Sequence, residues 1–238
     1  MPVDSNGLLS TRSYTLTDED NLRFEAEAAL GMIDPGDESL TAIAKPVDIG
    51  NLPLLHDVVV AMQNAARGQR QSRGRQRRRT MVGLAAPQIG VGLRIILVDT
   101  HVGDNRKNYG TLRCFINPEI IWRSKETSEG REGCFSAGPV WGVVRRPIAV
   151  KIRALNFDGR PIERVFEGFT ARIFQHEVDH LNGIRFPDRI RSDRKRHWVH
   201  TEELELYTKQ YRHWPRLCSA KKWESVKRGA LHKGELDD

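Results

Sequence analysis

His176 and His180 flank Glu177 in the stretch FQHEVDHLNG, in the order H-E-x-x-H. Histidines four apart share one face of a helix, so both rings can aim a nitrogen at one metal ion. The glutamate beside the first can take a proton from an attacking water. Two ligands do not complete such a site. A zinc endopeptidase of the extended H-E-x-x-H-x-x-G-x-x-H form fails at Phe186, which has no ligand atom. The form with a downstream glutamate stays open, since Glu202, Glu203 and Glu205 follow at a suitable distance, although acidic residues are expected at a helix start anyway. The other candidate lies upstream in SEGREGCFSAG, where Cys134 occupies a turn from which a thiolate can project. One thiolate and two imidazoles leave a fourth position open, the pattern of catalytic rather than structural sites.

Several elements must position these residues. The motif helix is expected to begin near Gly168 and to stop at Gly183, with Pro187 beyond. At 100° per residue Phe169, Ile173, His176 and His180 share one face, while Phe174, Val178 and Leu181 lie opposite. Apolar residues on both sides mark a helix surrounded by protein, where unpaired histidines are costly. Asp179 and Gln175 point to a third side and read as supporting polar groups rather than ligands. Leu55, Val58, Val59 and Met62 fall at helical spacing in residues 53–66, and VGLAAPQIGVG is a loop feeding the strand LRIILVD. Further short strands are expected in LRCFINPEIIW, GVVRRP and IAVKIRAL, with NFDG turning into PIERVF. Thr201 caps a C-terminal amphipathic helix carrying Leu204, Tyr207, Tyr211 and Trp214, and the remainder from Ser219 is expected to be poorly ordered. Together these elements predict an α+β fold. Short, mostly antiparallel strands pack around a central metal-binding helix, with an N-terminal helix and a C-terminal helical extension.

At 238 residues the chain can bury one good core. The expected organisation is an N-terminal extension (1–32), a catalytic domain (33–190) with an inserted loop (67–79), and a basic, aromatic C-terminal extension (191–238). No stretch is long and apolar enough for a membrane span, and Asp18, Glu19 and Asp20 are unlike a transit peptide, so a cytoplasmic protein is expected. Cys114, Cys134 and Cys218 are odd in number and far apart, which indicates no disulfide framework. The net charge of +7 equals the charge of Arg67, Arg70, Arg73, Arg75, Arg77, Arg78 and Arg79 in the acid-free run RGQRQSRGRQRRR. An excess confined to one low-complexity segment is a loop added to an ordinary enzyme rather than a nucleic-acid-binding fold.

GLAAPQIG (Gly83 to Gly90), EGCFS (Glu132 to Ser136) and QHEVDHLNG (Gln175 to Gly183) resemble, in this order and spacing, the three signature motifs of the peptide deformylases. The resemblance spans roughly residues 33 to 190. It implies that Cys134, His176 and His180 hold a divalent transition metal, Fe2+ first, with Zn2+, Ni2+ or Co2+ as alternatives. Glu177 would be the acid/base and Gln88 would line the formyl site. The implied reaction removes the formyl group from formylmethionine at the start of new polypeptides. The Gln88 amide and the backbone N–H of Phe135 suit a developing oxyanion, and the substrate backbone would run beside Gly83. An apolar pocket for the methionine side chain could draw on Ile89, Ile173 and Phe169. Met81, where the family usually has glycine, could narrow the groove; Phe135, usually leucine, could reshape the pocket. Gly138 loosens a segment that is often stiffened by proline. Two other classes compete: the zinc endopeptidase, which has no use for Cys134, and a non-catalytic protein on the same scaffold. Ribosomal RNA is a candidate partner for Arg67 to Arg79, or for the C-terminal helix with Tyr207, Tyr211 and Trp214.

Overall fold

The computed structural model describes residues 31–48, 52–68, 81–101 and 112–230. The extension up to residue 30 and the arginines from Arg70 to Arg79 lie outside them. Among the described residues the first α-helix, α1, runs Leu52–Gly68. Seven strands follow before the motif helix: β1 (Gly83–Ala85), β2 (Ile95–Asp99), β3 (Leu112–Arg123), β4 (Thr127–Gly133), β5 (Val140–Pro147), β6 (Ala149–Leu155) and β7 (Pro161–Glu167). Then come α2 (Gly168–Leu181), β8 (Arg196–Trp198), α3 (Leu204–Gln210) and α4 (Ala220–Lys227). One antiparallel sheet has the order β1-β2-β3-β6-β7, and a smaller one has the order β4-β5-β8.

The large sheet is covered on both faces, which explains why β2 reads as an unbroken apolar run. Side chains alternate across a strand. Ile95 and Leu97 therefore meet Leu55, Val59 and Met62 of α1, while Ile96 and Val98 turn to the opposite core with Phe174, Val178 and Leu181 of α2. Phe174 meets Phe115 edge-on at 4.8 Å and lies 4.3 Å from Phe166. The other side of α2 faces the small sheet. Helix α2 is thus buried along most of its length, as its two-sided apolar pattern predicts.

Four expectations need correction. The Gly-Ala-rich loop begins as the short strand β1, pairing Leu84 with Leu97, before a 3-10 turn over Ala86–Ile89. β3 is long rather than short, with its pairing interrupted near Asn117, where φ is +49° and the side chain bonds Val47 in both directions. The C-terminal helix is segmented, with 3-10 turns over Thr201–Glu203 and Tyr211–His213 on either side of α3, and its cap position is His200. Of the stretch from Ser219, residues 219–230 are not loose: Ser219 caps α4, whose Trp223 and Val226 are buried beside Val140, Phe186 and Trp198, while residues 231–238 lie outside the described residues.

The end of α2 is fixed as its glycine predicts. Gly183 (φ +69°) donates to the His180 carbonyl and Ile184 to that of Asp179, the paired bonds of a Schellman ending. The lead-in segment crosses here, with Ala44 N–H bonded to Leu181 O. A Cβ at position 183 would lie 2.2 Å from the Thr41 carbonyl oxygen. Gly183→Ala combines a left-handed backbone with this clash and is expected to lose at least about 1–3 kcal/mol, measured by urea unfolding.

Candidate metal centre

Cys134, His176 and His180 offer one donor atom each, all within 4.8 Å of one another, the one such group among the described residues. The Cys134 Sγ to His180 Nε2 separation is 3.3 Å. Bonds of about 2.0–2.3 Å at tetrahedral angles require donors roughly 3.5 Å apart, so the set fits a transition metal with little rearrangement. Two ligands come from rigid α2. The third comes from the end of β4, where Cys134 is extended and a single 3-10 turn over Phe135–Ala137 closes with Gly138 at φ +57°.

Around these ligands the charges are arranged. His176 Nδ1 pairs with Glu132 Oε2 at 2.9 Å, which fixes the ring and frees its other nitrogen for the cluster. Glu132 also receives Arg146 through two bonds, of 2.7 and 2.9 Å, and Arg172 at 2.7 Å. Arg146 reaches on to Asp179 at 2.8 Å. Burial alone would raise the Glu132 carboxyl, but the bonds and charge of Arg146, with His176, hold it well below the usual range. His176 is opposed by burial yet raised well above its usual value by Cys134 and Glu132. His180 is lowered well below it, first by burial and then by the charge of His176.

Glu177 and Gln88 complete the site. Glu177 is buried, one of its oxygens has no hydrogen-bond partner among the described residues, and burial pushes its carboxyl up to about 7. A Cβ at Gly83 would lie 2.3 Å from Glu177 Oε1, so only glycine lets β1 run this close to the carboxylate. Gln88 accepts from Ala85 N at 2.8 Å, which turns its amide nitrogen towards Cys134 Sγ (3.2 Å) and Ser136 Oγ (3.1 Å).

The candidate ligands, Glu177, Gln88 and Gly83 therefore meet, while Phe135 beside them is 48 % exposed. Of the pocket candidates Phe169 is exposed, whereas Ile173 and Ile89 pack into the two cores. Met81 leans on the cluster under α1. Glu203 pairs with Arg216 and Glu205 with Lys209, so the downstream glutamates do not form the third ligand and the endopeptidase reading falls. Gln175 bonds the Pro147 and Ala171 carbonyls, a structural role, and Asp179 joins Arg146 and Arg189. Cys114 and Cys218 are not part of the donor group, and burial pushes their thiols up to about 12 and about 11. The roles of Glu132, Arg146 and Arg172 escaped the sequence reading. A signal existed, since Glu132 lies two residues before Cys134 on the same strand face, and Arg172 one turn before His176.

A family model for polypeptide deformylase matches residues 30–196. The chain belongs to the polypeptide deformylase family. A peptide deformylase of Halalkalibacterium halodurans is 35 % identical over 185 residues, covering 74 % of this chain and 94 % of the relative. One from Desulforudis audaxviator is 47 % identical over 120 residues, covering 50 % and 73 %. Among solved structures, a Met-Ala-Ser-bound class I type b peptide deformylase of Acinetobacter baumannii matches with TM-score 0.58 and 36 % identity. It covers 67 % of this chain and 96 % of that one. The Thermotoga maritima peptide deformylase matches with TM-score 0.57 and 32 % identity, covering 68 % and 97 %. Like the family, this chain is a metal-dependent enzyme, and no helix among the described residues is long and apolar enough to cross a membrane.

The raised carboxyl of Glu177 has a sign that can be checked. An unfolded glutamate ionises near pH 4.3, the folded one only at about 7, so rising pH across that window favours the unfolded chain. In the metal-free protein Glu177→Gln is therefore expected to raise the melting temperature relative to wild type at pH 8, and to raise it much less at pH 5.

Proposed function

We propose that the cluster of Cys134, His176 and His180 beside Glu177 and Gln88 hydrolyses the N-terminal formyl group of formylmethionine on new polypeptides, releasing formate and a free amine. The observation that carries the assignment is the convergence of a thiol and two imidazoles on a buried carboxylate with an unpartnered oxygen. A divalent metal held by these three ligands supplies Lewis acidity and lowers the pKa of water at its open position. Fe2+ is our first assignment, with Zn2+, Ni2+ or Co2+ able to occupy the same donor set.

The protein groups divide the remaining work. Glu177 takes a proton from the attacking water and returns it to the departing amine, a task suited to a carboxyl that burial has shifted towards neutrality. The Gln88 amide, oriented through Ala85, and the N–H of Phe135 donate to the oxygen that gains charge as the formyl carbon becomes tetrahedral. Gly83 leaves room for the substrate backbone next to Glu177, and the exposed ring of Phe135 borders the first side chain. A substrate of nascent chains supports a cytoplasmic reading.

Two substitutions separate holding the metal from using it. Cys134→Ser is expected to lose most bound metal, because two ligands do not retain it in an open site. Glu177→Ala is expected to keep the metal and to lose at least about 100-fold in turnover of a formyl-Met peptide. Metal analysis of both after anaerobic purification, which also identifies the native ion, decides the assignment. For the arginines at 67 to 79, the reading is a tether to ribosomal RNA, since nascent chains leave a surface rich in phosphate. Replacing them with Ser and Gln is expected to leave free-peptide hydrolysis unchanged and to weaken ribosome binding most at low salt. Ribosome binding that survives this change unaltered would point instead to the outer face of the C-terminal helix near the half-exposed Tyr211, since Tyr207 and Trp214 are buried in a core cluster and are not available to RNA.

A further inference from the structure

The family match stops at residue 196, but the chain continues through β8, α3 and α4, and this added segment reaches the metal-ligand turn. Cys134 packs against a cluster in which Trp198, Cys218, Trp223 and Val226 come from beyond the match. The turn that follows Cys134 has Ala137 buried in the same cluster, and Gly138 faces Pro35 and Val226.

A chain of polar contacts runs from α4 to the site. Trp223 Nε1 donates to Asp188 Oδ1 at 2.7 Å, and Lys227 Nζ reaches the same oxygen at 3.0 Å. The other Asp188 oxygen accepts from Arg185 N at 2.9 Å. The Arg185 guanidinium lies 4.8 Å over the Trp223 ring and is fully buried. One of its nitrogens donates to the Ser136 carbonyl at 2.8 Å, and to that of Pro35, while its Nε and other terminal nitrogen have no hydrogen-bond partner among the described residues. Ser136 in turn holds the Gln88 amide, which touches Cys134.

A buried guanidinium with two donors unpaired is held in place by its surroundings, and here they are the Trp223 face and two carbonyls. Without the ring, water reaches the unpaired nitrogens and competes with the carbonyls of Ser136 and Pro35 for the guanidinium. The consequence falls on the metal. His176 and His180 are fixed relative to each other by α2, whereas Cys134 is held only as firmly as its turn. A ligand on a looser turn leaves the metal more often, and an amide on a looser serine stabilises the transition state less well.

We propose that α4 is a clamp on the metal-ligand turn, with Trp223 and Arg185 as positioning residues that hold Cys134 and Gln88 through Ser136. The proposal rests on the ligand set given above, and the two can fail separately. Metal kept by Cys134→Ser overturns the ligand set; metal lost by Cys134→Ser but held normally by the variants below overturns the clamp alone.

The test uses the full chain loaded with Ni2+, following transfer of the metal to a chelator at 25 °C alongside steady-state kinetics. Arg185→Met, which keeps an apolar stem on Trp223 but removes the donor to Ser136, is expected to release metal at least about 10-fold faster and to lower kcat with little change in KM. Trp223→Ala is expected to do the same, and Trp223→Phe, which restores a ring under the guanidinium, to recover most of the loss. Leu55→Ala, in the core under α1, is the control for general stability: a lower Tm with wild-type metal release. Wild-type release and kcat in Arg185→Met would overturn the clamp, as would equal acceleration by Leu55→Ala. Should Trp223→Ala not fold, Arg185→Met and Trp223→Phe decide alone.

Discussion

The Glu132 carboxylate is the joint on which the site depends. It lies on β4, receives Arg146 from β5 and Arg172 from α2, and spends its remaining capacity on the ring of His176. Taking such charges out of water is costly, and removing one partner would leave the others buried and uncompensated. The gain is geometric. One carboxylate ties the small sheet to the motif helix and sets the orientation of a ligand ring, so the strand that supplies Cys134 and the helix that supplies both histidines cannot slide past one another. Asp179 repeats the arrangement one turn along α2, bridging Arg146 to Arg189.

The same network gives the site its electrostatic bias. With Arg146 and Arg172 neutralising Glu132 and Asp179, the pocket carries no large excess of either sign beyond the ligands themselves. Glu177 sits a residue away from this network yet outside its hydrogen bonds, and burial therefore raises its carboxyl while Glu132, equally buried, is lowered. Arg146 acts on both carboxyls, but only Glu132 is hydrogen-bonded to it, and the two are pushed in opposite directions by the presence or absence of those bonds. That separation gives one of them to structure and leaves the other able to exchange a proton near neutral pH.

Much of this was legible in the sequence because it is local. The i, i+4 histidines, the glycine at 183 and the two-faced apolar pattern of α2 follow from helix period and helix ending, β2 from its apolar run, and β6 from the alternation of Val150, Ile152 and Ala154 with Lys151 and Arg153. Gly83, Gln88 and Cys134 were legible as motifs, but their meeting was not, since it depends on the pairing of strands far apart in the chain. β4 was missed because in TSEGREG only Thr127 is β-branched and no residue is aromatic; its polar side chains are used across the sheet, Glu129 opposite Arg145 and Glu132 inward to Arg146. In β5 the alternation Val140, Gly142, Val144, Arg146 does place Arg146 on the inward face, a signal that reads as an error until Glu132 is known to face it.

Helix α4 was misread for a related reason. Trp223 and Val226 are two apolar residues among lysines and a glutamate, too narrow a stripe to hold a helix by itself. What orders it is a surface prepared elsewhere: the Asp188 carboxylate, the Arg185 guanidinium and the wall of Phe186 and Val140. A tryptophan suits that surface because its ring can lie under a cation while its N–H finds an acceptor. Asp188 would otherwise be a half-buried carboxylate, and it is instead lowered in pKa against its own burial by Trp223, the Arg185 backbone and Lys227. The charged composition that made the segment look unstructured is therefore part of what seats it. The order of α4 is a property of its contact with the segment that follows the motif helix, and that contact sets Trp223 on Arg185, which is itself two hydrogen bonds from Gln88.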